Sequence, residues 1–163
     1  MKRVIFRTAA GLTLLILFLL ARNGPLSAFA EESELFIICQ PDSFVNVREH
    51  PKMRASVSGF LEFGQKVVSD GRKRNGFVHC IISNESGEGW VYGGYLVSDQ
   101  PVIQQSRAQI SGEGRVACRR AVNGQRRKWL HNGDAVTVYA YSEEWSVTDE
   151  GFIKMRYLEF EHE

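Results

Sequence analysis

The sequence lacks the signatures of an enzyme. No Gly-x-Ser-x-Gly elbow, no phosphate-binding loop and no His or Cys cluster at metal-ligand spacing occurs in its 163 residues. His79 and Cys80 are adjacent, but neighbours on a strand point to opposite faces, so they do not form a nucleophile–base pair by themselves. The expectation is a binding role, with no catalytic residue, cofactor or metal. An enzyme of unfamiliar type would need a His, Cys or carboxylate cluster converging in a pocket, which linear spacing does not display.

A membrane-spanning run is also missing. Lys2, Arg3 and Arg7 precede an uncharged stretch from Ala9 to Leu20, and Ala28-Phe29-Ala30 offers a small-x-small cleavage site before Glu31 and Glu32. That pattern predicts an export signal over residues 1–30. About twelve apolar residues fall short of the roughly twenty that a spanning helix needs, so no membrane association is expected after cleavage. The first cysteine after the run is Cys39, which excludes a lipobox.

A basic excess is absent too. Four of the twenty basic residues (Lys2, Arg3, Arg7, Arg22) leave with the signal and none of the nineteen acidic ones do, so 16 − 19 gives −3 for the mature chain. Bulk attraction to nucleic acid is not indicated.

What the chain does contain is an echo of itself. Gly89-Trp90-Val91-Tyr92-Gly93-Gly94-Tyr95-Leu96 returns as Gly151-Phe152-Ile153-Lys154-Met155-Arg156-Tyr157-Leu158, both reading Gly, aromatic, β-branched, three variable residues, Tyr, Leu. Val45-Asn46-Val47-Arg48 returns as Val116-Ala117-Cys118-Arg119. The offset shrinks from 71 residues at Val45 and Val116 to 62 at Gly89 and Gly151, which insertions in the loops of the first copy explain. Two small units of some sixty residues each are expected, with cores small enough that help from a disulfide or from packing between the units is expected.

Alternation and turn formers predict strands at Leu35–Cys39, Phe44–Arg48, Val57–Phe63, Gln65–Val68 and Phe77–Ile82, and Gly89–Leu96 reads as a last strand followed by a short closing turn that delivers Tyr95-Leu96. Val45 and Val47 fall on the core side, Asn46 and Arg48 outside. The polar run 70–76 reads as a hairpin loop, Ser83–Glu88 as a turn, and residues 99–106 as a linker.

Val45-Asn46-Val47-Arg48, a Gly-containing hairpin, the aromatic strand start at Phe77 and Gly89-Trp90-Val91-x-x-x-Tyr95-Leu96 together resemble a bacterial SH3 (SH3b) domain. The resemblance covers residues 35–98 and, more loosely, 107–161, where Ala117 replaces Asn46 and Phe152 replaces Trp90. It implies an all-β chain of two tandem SH3-like barrels, small and partly open, of five to seven short strands each. It also implies attachment to peptidoglycan or to an envelope protein or peptide of a bacterium, the protein being secreted or wall-associated. The alternative is a protein-interaction subunit of an extracellular or envelope assembly, such as one encoded by a mobile element.

The closing motif is similar to the ending of eukaryotic SH3 domains, whose Pro and Tyr line a peptide groove. On that footing Tyr92 and Tyr95, with Trp90, Asn46 and Arg48, form the candidate ligand groove of the first unit, and Lys154 and Tyr157 hold the corresponding places in the second. Tyr95 and Tyr157 read equally well as packing residues of the closing turn. Cys39 and Cys80 occupy positions where the family plan has inward apolar residues. A bridge between them would close a loop of about forty residues, worth roughly 3–4 kcal/mol; two buried thiols are the other reading. Cys118, aligned with Val47, reads as a buried thiol.

Arg115, Arg119, Arg120, Arg126, Arg127 and Lys128 place six cations in fourteen residues with no acid among them. They form either a patch for an anionic wall polymer or acidic partner, or a solvated pair of segments meeting Glu143, Glu144, Asp149 and Glu150 of the same unit.

Overall fold

The computed structural model describes residues 32–82 and 87–161, so the export segment expected at 1–30 and the tip of the turn expected at Ser83–Glu88 lie outside the described residues. The described chain is all-β, forming two seven-stranded antiparallel sheets. The first contains β1 (Ser33–Ile37), β2 (Phe44–Arg48), β3 (Val57–Glu62), β4 (Lys66–Arg74), β5 (Phe77–Ile82), β6 (Gly87–Tyr92) and β7 (Leu96–Val97). The second contains β8 (Val102–Ile110), β9 (Arg115–Arg119), β10 (Arg126–His131), β11 (Ala135–Tyr141), β12 (Trp145–Thr148), β13 (Phe152–Lys154) and β14 (Leu158–Phe160).

Their orders, β3-β2-β6-β5-β4-β1-β7 and β10-β9-β13-β12-β11-β8-β14, agree position for position. The outer strands β3 and β7, like β10 and β14, do not pair with each other, so each sheet is open in its hydrogen bonding.

The agreement extends to single backbone bonds. Gly64 donates to Ile37 O and Gly133 to Ile110 O, both at 2.8 Å; Ile38 donates to Tyr95 O at 3.0 Å and Ser111 to Tyr157 O at 2.9 Å. Tyr95 and Tyr157 each end a three-residue 3-10 turn, after which Leu96 (φ −115°) and Leu158 (φ −115°) resume the strand.

Local chemistry explains these elements. In β2, Val45 and Val47 are buried between half-exposed Asn46 and Arg48, the alternation of a strand with one wet face. The glycine that opens the recurring motif is there for space. A Cβ on Gly89 would lie 2.5 Å from Val47 Cγ1, and one on Gly151 would lie 2.5 Å from Arg119 O and 3.0 Å from Cys118 Sγ. Each motif strand therefore crosses its partner, β2 or β9, at backbone contact.

Each sheet wraps its own apolar cluster, one around Val47, Leu61 and Val91, the other around Cys118, Val138 and Ile153. A third cluster belongs to both: Ile38 and Val97 of the first sheet pack with Val122, Ala140, Trp145 and Phe152 of the second. Burial of each large side chain contributes roughly 1.5–3 kcal/mol before the entropy of ordering it is subtracted, so this shared core adds to what each sixty-residue unit draws from its own. Two hydrogen bonds flank it, Val122 N–H to Gly94 O at 2.8 Å and Glu143 N–H to Asp99 Oδ2 at 2.6 Å.

Several boundaries differ from expectation, among them the start of β6 at Gly87, inside the turn expected at Ser83–Glu88. Residues 102–106, read as part of a linker, belong to β8, which runs nine residues because β11 and β14 pair with its two sides. The connection is thus Ser98–Pro101. The first strand stops at Ile37, because Ile38 turns toward the shared core and its N–H goes to Tyr95. Residues 70–74 extend β4 rather than forming a loop; the turn is Asn75-Gly76, both with positive φ (52° and 77°). Between Ser69↔Cys80 and Lys73↔Val78, residues 70–72 face the single residue His79, so the strand bulges there.

That bulge aims two charges at one ring. Arg72 Nε donates to Asp70 Oδ2 at 2.7 Å, and His79 Nδ1 lies 2.8 Å from the same oxygen. The Arg72 guanidinium, with His79 beside it, holds the Asp70 carboxyl down at about 2. The folded value lies below the ordinary one, so the stability it contributes is present above pH ~4 and is lost as pH falls from ~4 toward ~2. Asp70→Asn is expected to flatten the acid limb of stability over that window, read by urea titration at successive pH values. An unchanged limb would show that the carboxylate is not linked to folding.

Candidate functional site

A cleft of about 680 Å³ lies where the two sheets meet, and it gathers residues that the sequence keeps far apart. From the first sheet come Asn46 and Arg48 on the wet face of β2, with Tyr92 and Tyr95 at the end of β6 and its 3-10 turn. From the second come Arg119 at the end of β9, Arg120 after it, and Arg127 on β10.

The apolar wall is a chain of rings. Phe77 and Tyr92 stand 5.5 Å apart in edge contact, Tyr92 and Tyr95 stand 6.0 Å apart, and Tyr95 and Phe152 stand 6.0 Å apart across the junction. Val91, between Trp90 and Tyr92, is buried in the first core. The backbone beneath is tight, because a Cβ on Gly94 would lie 2.6 Å from the Tyr92 ring and 2.7 Å from Ala121 Cβ.

The remaining candidates are placed elsewhere. Trp90 is half-buried with its ring 5.1 Å from that of His79 in edge contact, and it does not line the cleft. Tyr157 lies apart as well: the Arg156 guanidinium sits 4.8 Å over its ring and donates to its hydroxyl at 2.9 Å. Lys154, the counterpart of Tyr92, pairs with Glu144 and lies 5.2 Å over the Trp145 ring. The second unit's own groove positions are thus engaged internally.

The basic segment divides in three. Arg119, Arg120 and Arg127 face the cleft. Arg126 and Arg115 instead lie over Trp129, at 4.4 and 5.1 Å from its ring centre. Lys128 pairs with Glu150 at 2.5 Å. Of the segment only Lys128 meets one of the four acids in an ion pair among the described residues.

Sequence reasoning missed Phe44 and Phe152 as lining residues. The signal for Phe44 was available: with Val45 and Val47 inward, alternation turns it outward, and it is 60% exposed, its ring 4.7 Å from Phe60.

The considered bridge between Cys39 and Cys80 is not formed; all three cysteines are unbridged and buried. The sulfurs turn to their own segments, Cys39 Sγ toward Ser43 O at 3.6 Å and Cys80 Sγ toward Val78 O at 3.7 Å. Burial pushes the Cys39 thiol up to about 11 and Cys80 up to about 12, and raises Cys118 as well. Iodoacetamide at pH 8 without reductant is therefore expected to leave the folded protein largely unlabelled and to add three groups per chain once it is denatured. A mass showing one added group after denaturation would restore the bridge.

No protein-family model matches the chain, and no curated protein does. Among solved structures it is similar to NlpC1 from Trichomonas vaginalis, at 16% identity and a TM-score of 0.35, covering 83% of this chain and 48% of that one. It is likewise similar to NlpC2 from Trichomonas vaginalis, at 14% identity and a TM-score of 0.35, covering 82% of this chain and 49% of that one. The chain spans about half the length of those two proteins.

Proposed function

We propose that this chain is an exported, non-catalytic binding protein whose two SH3b-like barrels, at residues 35–98 and 107–161, attach it to peptidoglycan or to an envelope peptide. The observation that carries this reading is the convergence of Asn46, Arg48, Tyr92 and Tyr95 on one cleft. The pair on β2 and the pair in the closing motif are 44 positions apart at their nearest, Arg48 to Tyr92, yet they present an amide, a guanidinium and two rings to the same space. Such a mixed lining suits an extended peptide, with rings for its side chains and polar groups for its backbone. The shared strand order of the two sheets and their matching turn hydrogen bonds support reading each as one copy of the same small barrel.

One observation favours the protein-interaction alternative. Phe44 and Phe60 form an exposed pair at 60% and 57%, an apolar spot of the kind that partners cover. Incubation with purified sacculi separates the two. Retention on sacculi stripped of protein supports wall attachment; loss of binding on stripping transfers the assignment to an envelope protein.

A further inference from the structure

We infer that the cleft is a composite site for an extended anionic peptide, in which the first unit supplies most of the aromatic wall and the second supplies most of the positive charge. The inference rests on the reading of this cleft as the binding site and adds the chemistry of what it holds.

Charge is the first argument. The chain past residue 30 carries a formal −3, yet the cleft is lined by four arginines, Arg48, Arg119, Arg120 and Arg127, against one carboxylate, Asp149. That carboxylate is already engaged, accepting the Thr137 N–H at 3.0 Å. Among the described residues none of the four arginines has a salt-bridge partner. Glu150, the nearest candidate for Arg127, gives its carboxylate to Lys128 and only its backbone carbonyl to Arg127, at 3.0 Å.

Orientation is the second argument. Arg48 Nη1 donates to Ala55 O and Arg119 Nη1 to Gly124 O, both at 2.8 Å, so the equivalent arginine of each unit is tethered the same way. A guanidinium has five N–H donors in a planar fork, and one tether leaves the others free while limiting rotation. Arginines held in this way suit carboxylates, which they bind with two parallel hydrogen bonds.

The rings decide between a peptide and a bare polyanion. A phosphate polymer would use the arginines and leave the half-exposed rings of Tyr92 and Tyr95, which Phe77 and Phe152 back from the core, idle. A peptide with acidic and apolar side chains uses both walls. Because Val122 N–H bonds to Gly94 O and Ala121 packs on Gly94, the two walls stand in fixed relation before a ligand arrives.

Carboxylate-bearing peptides occur both in the wall and on protein partners, so the test uses a source of each. The probes are protein-free sacculi, the same sacculi with carboxyls blocked as amides, and a labelled Ala-Glu-Ala-Glu-Ala peptide beside its Gln, C-amidated isostere. The expected result is that binding to free sacculi and to the acidic peptide weakens about tenfold or more in R120Q/R127Q, a change the size of a lost charge-assisted bond. Binding should also weaken with amidation and with added salt. Tyr92→Ala should weaken it without altering the salt dependence. Equal retention of blocked and free sacculi, with R120Q/R127Q unimpaired, overturns the inference and leaves wall attachment standing. Acidic-peptide binding that needs the arginines, without sacculus binding, upholds the composite site and removes the wall as its source. Polyphosphate competing as well as the peptide, with Tyr92→Ala neutral, overturns the peptide assignment. Binding to none of the probes overturns both readings. Both arginines are exposed, so R120Q/R127Q is expected to keep the wild-type unfolding midpoint, which separates a binding loss from a folding loss.

Discussion

Trp145→Ala is expected to lower stability by about 3–5 kcal/mol, as for other fully buried tryptophans. The ring is 1% exposed and sits, among the described residues, in the cluster to which both units contribute, with Ile38 and Val97 of the first and Phe152 of the second. Its removal leaves a cavity between two sheets that hold their own cores, and the shared cluster is the main apolar link between them. The wild type should unfold in one transition, and the alanine variant in two, because each sheet then melts on its own core. Trp145→Phe should cost less than the alanine change. It keeps most of the apolar surface and removes an indole N–H that is buried without a hydrogen-bond partner among the described residues. Urea titration followed by near-ultraviolet and far-ultraviolet circular dichroism reads both effects. Coincident curves for the alanine variant would mean that the sheets are not independent once the ring is gone.

Gly151→Val is expected to cost roughly 2–5 kcal/mol, the sum of a backbone and a steric effect. Its φ of +131° lies where only glycine is comfortable, and a Cβ there would press on Arg119 O at 2.5 Å. The neighbour is a backbone carbonyl on β9 and has no rotamer with which to retreat. Gly133→Ala supplies the control, for its φ is +85° but nothing lies within 4 Å of the added carbon. That change should cost only about 1–2 kcal/mol, from backbone strain alone. Equal losses for the two would show that the close crossing at Gly151 is not what the motif glycine is for.

Much of the sheet architecture was legible because strand burial has a period of two. Phe44–Arg48 falls where alternation puts it, with Val45 and Val47 inward, while Phe77–Ile82, buried nearly throughout, was placed by the apolar run between its turns. The outer half of β4 was not legible in the same way, because Arg72 to Arg74 are exposed and a strand without a buried face has no hydrophobic pattern. The turn signal there was Asn75-Gly76, and the polar run before it masked that dipeptide. The cleft was legible by halves. Tyr92 and Tyr95 stand out in the closing motif and the arginines in a charge run, but no local pattern encodes how two units pack. One clue was Ile37-Ile38: consecutive buried residues on a strand end require apolar neighbours on both sides, and here the second side is the other sheet.

The row of rings that crosses the seam from Phe77 to Phe152 has a mechanical meaning. A guest bound as proposed, on the Tyr92 and Tyr95 rings and against the second unit's arginines, would be held by both halves of the molecule, and unfolding either half would release it. At a hundred times its dissociation constant, such a guest adds about 2.7 kcal/mol of resistance to unfolding. On that proposal the joint between the sheets would become firmer under occupancy, and the molecule would resist unfolding most while its cleft is filled.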